Sequence, residues 1–368
     1  MNTQLTVKEL LEPLQTVIGV VEKKQTLPIL SHVLVQIKDN QLTLTTTDME
    51  IELKATQKIN TKEKVSFTIY AKDLIDIIRK LPETTVIEFI IEESKIYIKT
   101  NKNSFELNTF NHQDFPSLPK IENSDVIRVN RTELKELIEN TSFSMGNQDI
   151  RAYLNGLYFE VDEDNIVIVA TDGHRLSIGE IKQSNKLSTK KTVILPRKAV
   201  LELTKLLNKN EHEEVDIHLS KNYFYLNSDN TTIISRLIDG NFPNYTQVIP
   251  KDFENTIIIN KQEFYDSLQQ ASIFVEERKK SVRLMFKDSQ LNIFTHSERG
   301  QAKTQITIKN FDKEIEINFN IHYLISILEK ITTSEVKMII SNSENQACLL
   351  SSTDDNETYQ YVVMPIRI

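Results

Sequence analysis

Ile166-Val167-Ile168-Val169-Ala170-Thr171-Asp172-Gly173-His174-Arg175-Leu176 is the stretch on which the reading of this chain turns. Its first half is a run of β-branched residues, the composition of a buried strand. Leu176-Ser177-Ile178-Gly179 follows with a looser alternation that suits a returning strand. Asp172-Gly173 between two such runs is a hairpin signal, because Gly accepts positive φ without a Cβ clash. Taken alone, this is a tight turn flanked by a surface His and Arg. Taken with its surroundings, it is a rigid turn that holds Gly173, His174 and Arg175 at the rim of a pocket.

The stretch recurs. Leu42-Thr43-Leu44-Thr45-Thr46-Thr47-Asp48 resembles Ile166 to Asp172, and Leu291-Asn292-Ile293-Phe294-Thr295-His296-Ser297 is a fainter third copy. The steps from Asp48 to Asp172 to Ser297 are 124 and 125 residues. A helical pattern repeats with nearly the same period at 71–81, 197–207 and 321–331; in the first, Leu74, Ile77, Ile78 and Leu81 fall at i, i+3, i+4, i+7. A second helix opens each repeat, at 7–17, 131–141 and 261–272. Phe115-Pro116-Ser117-Leu118-Pro119 and Phe242-Pro243-Asn244-Tyr245 close the first two repeats, since Pro removes a ladder donor. The expected domains are therefore 1–122, 123–251 and 252–368. Each carries a duplicated strand-helix-strand order, which is an α+β fold with helices on one face of the sheets.

Composition narrows the function classes. A chain of 368 residues with 39% apolar and 26% charged residues reads as an ordinary globular protein of two or three domains. The first residues lack the basic-then-apolar run of a secretory signal, and no apolar run approaches the roughly 20 residues of a membrane span. The single Cys348 excludes an intrachain disulfide and a multi-cysteine zinc site, which suits a reducing cytoplasm. Only 7 Gly are present, and neither G-x-G-x-x-G nor a P-loop occurs. Asp39-Asn40, Asp164-Asn165 and Asp229-Asn230 take over as turns. The net charge of −8 argues against a tight grip on nucleic acid.

Several motifs in order resemble one family. They are Thr26-Leu27-Pro28-Ile29-Leu30, Thr47-Asp48, Asn155-Gly156, Ala170 to Leu176, Pro196-Arg197-Lys198 and Val362-Val363-Met364-Pro365. Together, along the whole chain, they resemble the bacterial β sliding clamps, the processivity subunits of replicative DNA polymerases. The resemblance implies three tandem clamp domains and a ring-shaped head-to-tail homodimer. Helices would line a central pore around double-stranded DNA, with antiparallel sheets outside. It implies no catalysis, no cofactor and no metal. It implies as partners a clamp-loader complex, the replicative polymerase, and mismatch-repair and translesion factors that tether by short peptides. Size agrees: a domain of this length behaves as a sphere about 35 Å across, and six such spheres leave a hole about as wide as one of them. That passes a duplex roughly 20 Å wide, whereas three spheres do not.

The resemblance also assigns residues. Lys24, Lys72, Gln148, Tyr153, Arg197 and Lys198 are DNA-facing candidates, with Ala152 where relatives can carry a second Tyr. The charge of the second helices is uneven: Lys72, Arg79 and Lys80 against Asp73 and Asp76, then Arg197, Lys198, Lys205 and Lys209 against Glu202, then only Lys330 against Glu329. Phe105 and Leu107 are expected to meet Ile273 and Phe274 of a second copy. The chain ends on Val362-Val363-Met364-Pro365-Ile366-Arg367-Ile368, unusually apolar for a terminus, which argues for docking. Leu154, Thr171, Gly173, His174, Arg175, Leu176, Pro243, Val248, Val362, Met364, Pro365 and Arg367 are expected to line a peptide groove, with Gln247 where relatives often have Arg.

Two other classes compete. Asp172 and His174 could form an acid/base pair in an enzyme, but they flank one Gly and need not meet. No nucleophile elbow or H-E-x-x-H occurs, and the remaining His residues are scattered without metal-ligand spacing. The second alternative is a repeat scaffold that binds partner peptides and no DNA; retention on circular DNA separates it from a clamp.

Overall fold

The computed structural model describes residues 2–22, 27–61, 63–119, 126–185, 187, 189–208, 213–228, 230–251, 255–276, 278, 280–309, 311, 313–340, 347–354 and 358–366. Each third of the chain runs twice through one order: strand, helix, three strands. The first third holds β1 (Asn2–Thr6), α1 (Val7–Val17), β2 (His32–Lys38), β3 (Gln41–Thr47) and β4 (Ile51–Lys58). It continues with β5 (Val65–Tyr70), α2 (Ala71–Ile78), β6 (Val86–Ile91), β7 (Lys95–Lys99) and β8 (Ser104–Asn108). The second holds β9 (Val126–Asn130), α3 (Arg131–Thr141), β10 (Gly156–Val161), β11 (Asn165–Thr171) and β12 (Arg175–Lys182). Then come β13 (Lys191–Pro196), α4 (Arg197–Leu207), β14 (Glu214–Leu219), β15 (Tyr223–Ser228) and β16 (Thr231–Arg236). The last third holds β17 (Thr256–Asn260), α5 (Lys261–Ser272), β18 (Ser281–Lys287), β19 (Gln290–Ser297) and β20 (Gly300–Thr307). It ends with β21 (Ile315–Asn320), α6 (Ile321–Leu328), β22 (Glu335–Ile340), β23 (Cys348–Ser352) and β24 (Tyr359–Val363).

Local chemistry accounts for these elements. Asp39 and Asn40 take φ of 52° and 60°, and Asp288 and Ser289 take 51° and 55°, the paired positive angles of a two-residue hairpin turn. Asp162 closes the turn before β11 by accepting the N–H groups of Asp164 and Asn165. Asp229, expected in a similar turn, lies outside the described residues. Thr6 and Glu9 form a reciprocal capping box at the start of α1. The spacing predicts α2 through Leu81 and α6 through Ile331, yet they end at Ile78 and Leu328. The last turns tighten instead: Lys80 and Leu81 donate to the carbonyls of Ile77 and Ile78, and Lys330 donates to Ile327.

By contact the chain divides into two compact units. One is Met1–Lys135, Asn185–Leu187 and Leu195–Ile238; the other is Glu136–Ser184, Ser188–Ile194 and Asp239–Ile368. The sequence repeats meet near residues 122 and 251, the former outside the described residues, but contact follows the sheets rather than the repeats. The first unit has a four-stranded sheet, β1-β6-β7-β8, and an eight-stranded one, β5-β2-β3-β4-β16-β15-β14-β9. The second has an eight-stranded sheet, β13-β10-β11-β12-β24-β23-β22-β17, and a four-stranded one, β20-β19-β18-β21. First strands are exchanged within a repeat: β1 pairs with β6, and β5 with β2. Each eight-stranded sheet joins two repeats through one antiparallel contact of five residue pairs. Ile51↔Ser235 to Ala55↔Thr231 joins β4 to β16. Arg175↔Val363 to Gly179↔Tyr359 joins β12 to β24.

Helices cover one face of these sheets. In the first unit α1 packs on α2 and β4, with Leu10, Leu14, Leu74 and Ile78 fully buried. In the second, Phe264, Leu268, Leu324 and Leu328 share a core with Phe286, Phe319 and Tyr361. On the opposite face, Leu176, Ile178 and Val362 form another cluster, against which Phe242, Tyr245, Val248 and Met364 pack. Alternation along β24 sends Val362 to one core and Tyr361 and Val363 to the other. Burying each large apolar side chain stabilises the fold by about 1.5–3 kcal/mol.

Gly179 sits opposite Tyr359 where β12 meets β24, and a Cβ there would lie 2.5 Å from Leu137 Cδ1 and 2.9 Å from the Tyr359 ring. We expect Gly179→Ala to lower stability by about 1–3 kcal/mol through overpacking. Urea denaturation followed by circular dichroism reads this directly, and an unchanged midpoint would contradict the tight packing described here.

Candidate functional site

The turn between β11 and β12 is built twice from the same chemistry. Thr171 Oγ1 donates to the Arg175 carbonyl at 2.6 Å and accepts from Gly173 N–H at 3.0 Å. Asp172 Oδ1 accepts from the N–H groups of His174 and Arg175, at 2.9 and 3.0 Å. Thr47 and Asp48 repeat this pattern with Ile51, Met49 and Glu50. Met49 carries the positive φ there, at 72°, where Gly173 has 89°. A Cβ on Gly173 would also lie 3.0 Å from the Arg151 guanidinium, so Gly spares this copy the backbone strain that Met49 bears and leaves room for Arg151.

Asp172 is wholly engaged as a turn former. It accepts the His174 backbone N–H rather than facing its imidazole as a dyad, and its other oxygen binds Arg175 Nε at 3.1 Å. Arg175 turns inward. Its Nη2 donates to the Phe143 carbonyl at 2.7 Å and its Nη1 to Ser326 Oγ at 3.0 Å. The guanidinium lies 4.5 Å from the Tyr323 ring centre. Burial, and then the nearby Asp172 carboxylate, push the Tyr323 hydroxyl above its ordinary pKa. Arg175 thereby fixes the turn from beneath.

Above the turn lies a groove of about 200 Å³ within the second unit. Thr171, Gly173, His174, Arg175 and Leu176 form one side, and Val362 and Met364 extend it across the β12–β24 contact. Met364 N–H donates to the His174 carbonyl at 2.8 Å, and Ile366 N–H donates to Asn318 at 2.7 Å, so the described end of the tail is docked. Leu154 is a buried floor, and Pro243 and Val248 form the facing wall. Of the expected groove residues, Pro365 does not line the cavity and Arg367 lies outside the described residues.

Four lining residues were not foreseen in this role: Arg151, Asn244 and Tyr245, together with Tyr153, expected instead at DNA. Phe242 stacks on Tyr158 at 4.6 Å and anchors the segment carrying Asn244 and Tyr245. Its Phe-Pro-Asn-Tyr composition was visible, but only as a linker. Burial pushes the Tyr245 hydroxyl up to about 12, helped by Glu160. Arg151 is held by Asp149 at 3.0 Å, and this hydrogen bond draws the Asp149 carboxyl down to about 2. Asn155 and Asp149 exchange two hydrogen bonds of 2.8 Å that close the loop.

The DNA-facing candidates differ in freedom. Lys72 is exposed on α2, and Gln148 is exposed in the loop before Arg151 with φ of 57°. Arg197 is half-buried at the start of α4, and Lys24 lies outside the described residues. Lys198 is occupied: its ammonium bonds Asp48, Glu22 at 2.5 Å and the Val20 carbonyl at 3.3 Å. Burial alone would lower its pKa, but the hydrogen bonds to Asp48 and Glu22 outweigh that and raise it. Phe105 and Leu107 are half-buried on β8 beside a groove of about 550 Å³, while Ile273 is 63% exposed after α5. Among the described residues no group of His, Cys, Asp and Glu could hold a metal ion. No helix of the described chain is long and apolar enough to cross a membrane.

Comparison with known proteins covers the same ground. Residues 1–119, 128–244 and 246–367 match the models of the DNA polymerase III beta subunit N-terminal, central and C-terminal domains. The beta sliding clamp of Pseudomonas putida is 36% identical over 361 residues, 98% of each chain. That of Haemophilus influenzae is 35% identical over 370 residues, 100% of each. The crystal structure of DNA polymerase III subunit beta from Pseudomonas aeruginosa superposes with a TM-score of 0.95 at 34% identity, covering both chains fully.

The Lys198 geometry has a direct consequence. Asp48 is only 9% exposed, so removing its cation leaves a nearly buried carboxylate uncompensated. We expect Lys198→Met to destabilise the first unit by about 1–2 kcal/mol, since the Lys198 side chain keeps some solvent screening. A thermal midpoint equal to that of the parent would assign Lys198 to solvent instead.

Proposed function

Because the chain belongs to the DNA polymerase III beta subunit family, the bacterial β sliding clamps, we propose that it works as a DNA sliding clamp. Two copies close head to tail into a ring around duplex DNA and tether the replicative polymerase, which stays on its template as a result. The clamp performs no chemistry itself. The observation that carries this reading is the unequal size of the sheets. Two sheets reach eight strands because one repeat lends a strand edge to the next. Among the described residues the other two stop at four, with β8 and β20 as edges. An open strand edge is a template for pairing, and a second copy supplies the missing halves twice over. Three domains per copy then give the six that a duplex requires.

Binding to DNA is topological. A net charge of −8 disfavours a strong electrostatic grip, and a strong grip would slow sliding. Lys72, Arg197, Gln148, Tyr153 and Lys24 give weak, sequence-independent backbone contacts, and Lys198, next to Arg197 in the chain, orders the start of α4. The groove over the Asp172 turn takes a short partner peptide by its apolar side chains. Leu154, Leu176, Val248, Val362 and Met364 provide the apolar surface, and Thr171, His174 and Arg151 the polar rim. Polymerase, clamp loader, and mismatch-repair and translesion factors take turns at it. The place of work is the cytoplasm, with the chromosome.

A ring linked to DNA stays on a closed circle and leaves a cut one. We expect the chain, loaded on nicked circular plasmid, to co-elute with it at moderate salt and to be lost on linearisation. Equal retention on both forms, or on neither, would favour a scaffold without DNA linkage.

The groove is tested separately. A fluorescent peptide with a Gln and spaced Leu or Phe residues, titrated by anisotropy, should bind weakly to moderately, because ordering it costs entropy. Met364→Ala should weaken it by about tenfold or more. Sizing should show an unchanged dimer, and undiminished affinity would place the peptide elsewhere.

A further inference from the structure

The two junctions inside the chain show how the third, between copies, is built. Counting through the antiparallel ladders from β1, β9 and β17 aligns Glu106 of β8 with Ile234 of β16 and Val362 of β24. The ladders on the other side of each repeat align Ile51, Arg175 and Gly300 as the fourth residue of each turn. In both internal junctions that fourth residue faces the position after the aligned one: Ile51 faces Ser235, and Arg175 faces Val363. The same register sets Gly300 opposite Leu107, Gln301 opposite Glu106 and Ala302 opposite Phe105. Two small residues thus meet the two large apolar ones on β8.

Arg299 carries the sharper consequence. Arg175 and Arg299 stand at different positions of their turns, yet their guanidinium groups reach equivalent places. Arg175 Nη2 donates to the Phe143 carbonyl at 2.7 Å, and Arg299 Nη2 donates to the Ile273 carbonyl at 3.3 Å. Phe143 and Ile273 each stand 12 residues after the first residue of their helix, Arg131 and Lys261. From that place Arg175 reaches the third and sixth residues of the next repeat's helix α6, Tyr323 and Ser326. The third and sixth residues of α2 are Asp73 and Asp76. Both are exposed, and neither makes a salt bridge or side-chain hydrogen bond among the described residues. Both line the groove beside Phe105 and Leu107.

We infer that Arg299 of one copy docks onto Asp73 and Asp76 of the other, an ionic latch where the internal junction uses a ring and a hydroxyl. The inference rests on the ring reading and adds its chemistry. Ile273, whose carbonyl holds Arg299, enters the groove between Ile77, Leu81 and Leu107 as the guanidinium meets the carboxylates at its rim. Both internal junctions are held by chain continuity, one with the ring and hydroxyl contacts of Arg175 and the other with the ion pairs of Lys198 to Asp48 and Glu22. The closing junction lacks that continuity and is held in part by charges that salt screens, so the ring opens there.

The test uses the full-length chain and its dimer dissociation constant from sedimentation equilibrium. Arg299→Ala should weaken each contact about tenfold, and a two-copy ring carries the contact twice, so the constant should rise about a hundredfold. Asp73→Asn with Asp76→Asn should do the same, and Arg299→Asp combined with Asp76→Arg should restore most of the loss. Raising NaCl from about 0.1 to 0.5 M should weaken the parent dimer more than the Arg299→Ala dimer. Oxidation of Glu106→Cys with Gln301→Cys should link the copies, while Ser104→Cys with Gln301→Cys should not. Cys348 is buried and does not interfere. Unchanged dimer affinity and salt response in Arg299→Ala would overturn the latch while leaving the ring intact. Preferential linkage at 104 would overturn the register. A parent chain that stays monomeric at micromolar concentration would remove the ring reading and the latch together.

Discussion

Everything in the second unit depends on the backbone pairing of β12 with β24. An antiparallel ladder leaves N–H and carbonyl groups open along its edge, and β12, the last strand of one half-repeat, finds partners for them in β24, the last strand of the next repeat. Because the pairing runs from Arg175 to Gly179, it brings the Asp172 turn beside the chain end. The groove is a by-product of that ladder: Leu176 and Val362 are directly opposite each other across it and both point to the same face. Arg175, one residue earlier, points the other way and is spent on Phe143, Ser326 and Tyr323. One strand contact therefore joins two repeats, positions the turn and forms the groove.

Local features of this arrangement were legible in the sequence, and the non-local ones were not. The β-branched run, the Asp172-Gly173 turn and the helices at 7–17, 131–141, 197–207 and 261–272 all stand where the pattern places them. Each is decided by a few neighbouring residues, through side-chain alternation, capping and the positive φ at Gly173. The exchange of β1 to β6 and of β5 to β2 left no mark, because alternation says which face a residue takes and not which strand lies beside it. The same gap hid the fate of the cations. Lys198 reads as a basic residue at a helix start, and only the fold brings Asp48 and Glu22 to it. Ten of the expected groove residues line the cavity, but Arg151 could not be found, since its place depends on the ion pair with Asp149 and the absent Cβ of Gly173.

Charge and topology divide the work. A protein with 52 acidic and 44 basic residues is poorly made for gripping DNA by electrostatics. It spends Lys198 and Lys205 on carboxylates of its own, Asp48 and Glu202, within the first unit. A partner held by encirclement needs no strong contact, and weak ones leave it free to slide. Local concentration then does what affinity would otherwise do: a peptide of modest affinity, tethered to a ring that cannot leave, meets its groove again at once.

The threefold repeat offers three places for a peptide groove, and side-chain chemistry closes two of them. Position Leu176 corresponds to Glu52 in the first repeat and Gln301 in the third. Glu52 is almost fully buried, its carboxylate accepts the Leu118 N–H at 2.9 Å, and burial pushes its pKa up. There the chain's own linker, through Leu118, already takes up that carboxylate. A peptide would have to displace that bond and leave a carboxylate in an apolar contact, a cost of several kcal/mol. Gln301, polar and exposed in the single chain, presents an amide where Leu176 presents hydrocarbon. Only Leu176, backed by Val362 and Met364, presents hydrocarbon where a partner side chain can be buried without an unpaired polar group. On the proposed peptide reading, one groove per chain, and so two per ring, follows from which residue the repeats carry at this one strand position.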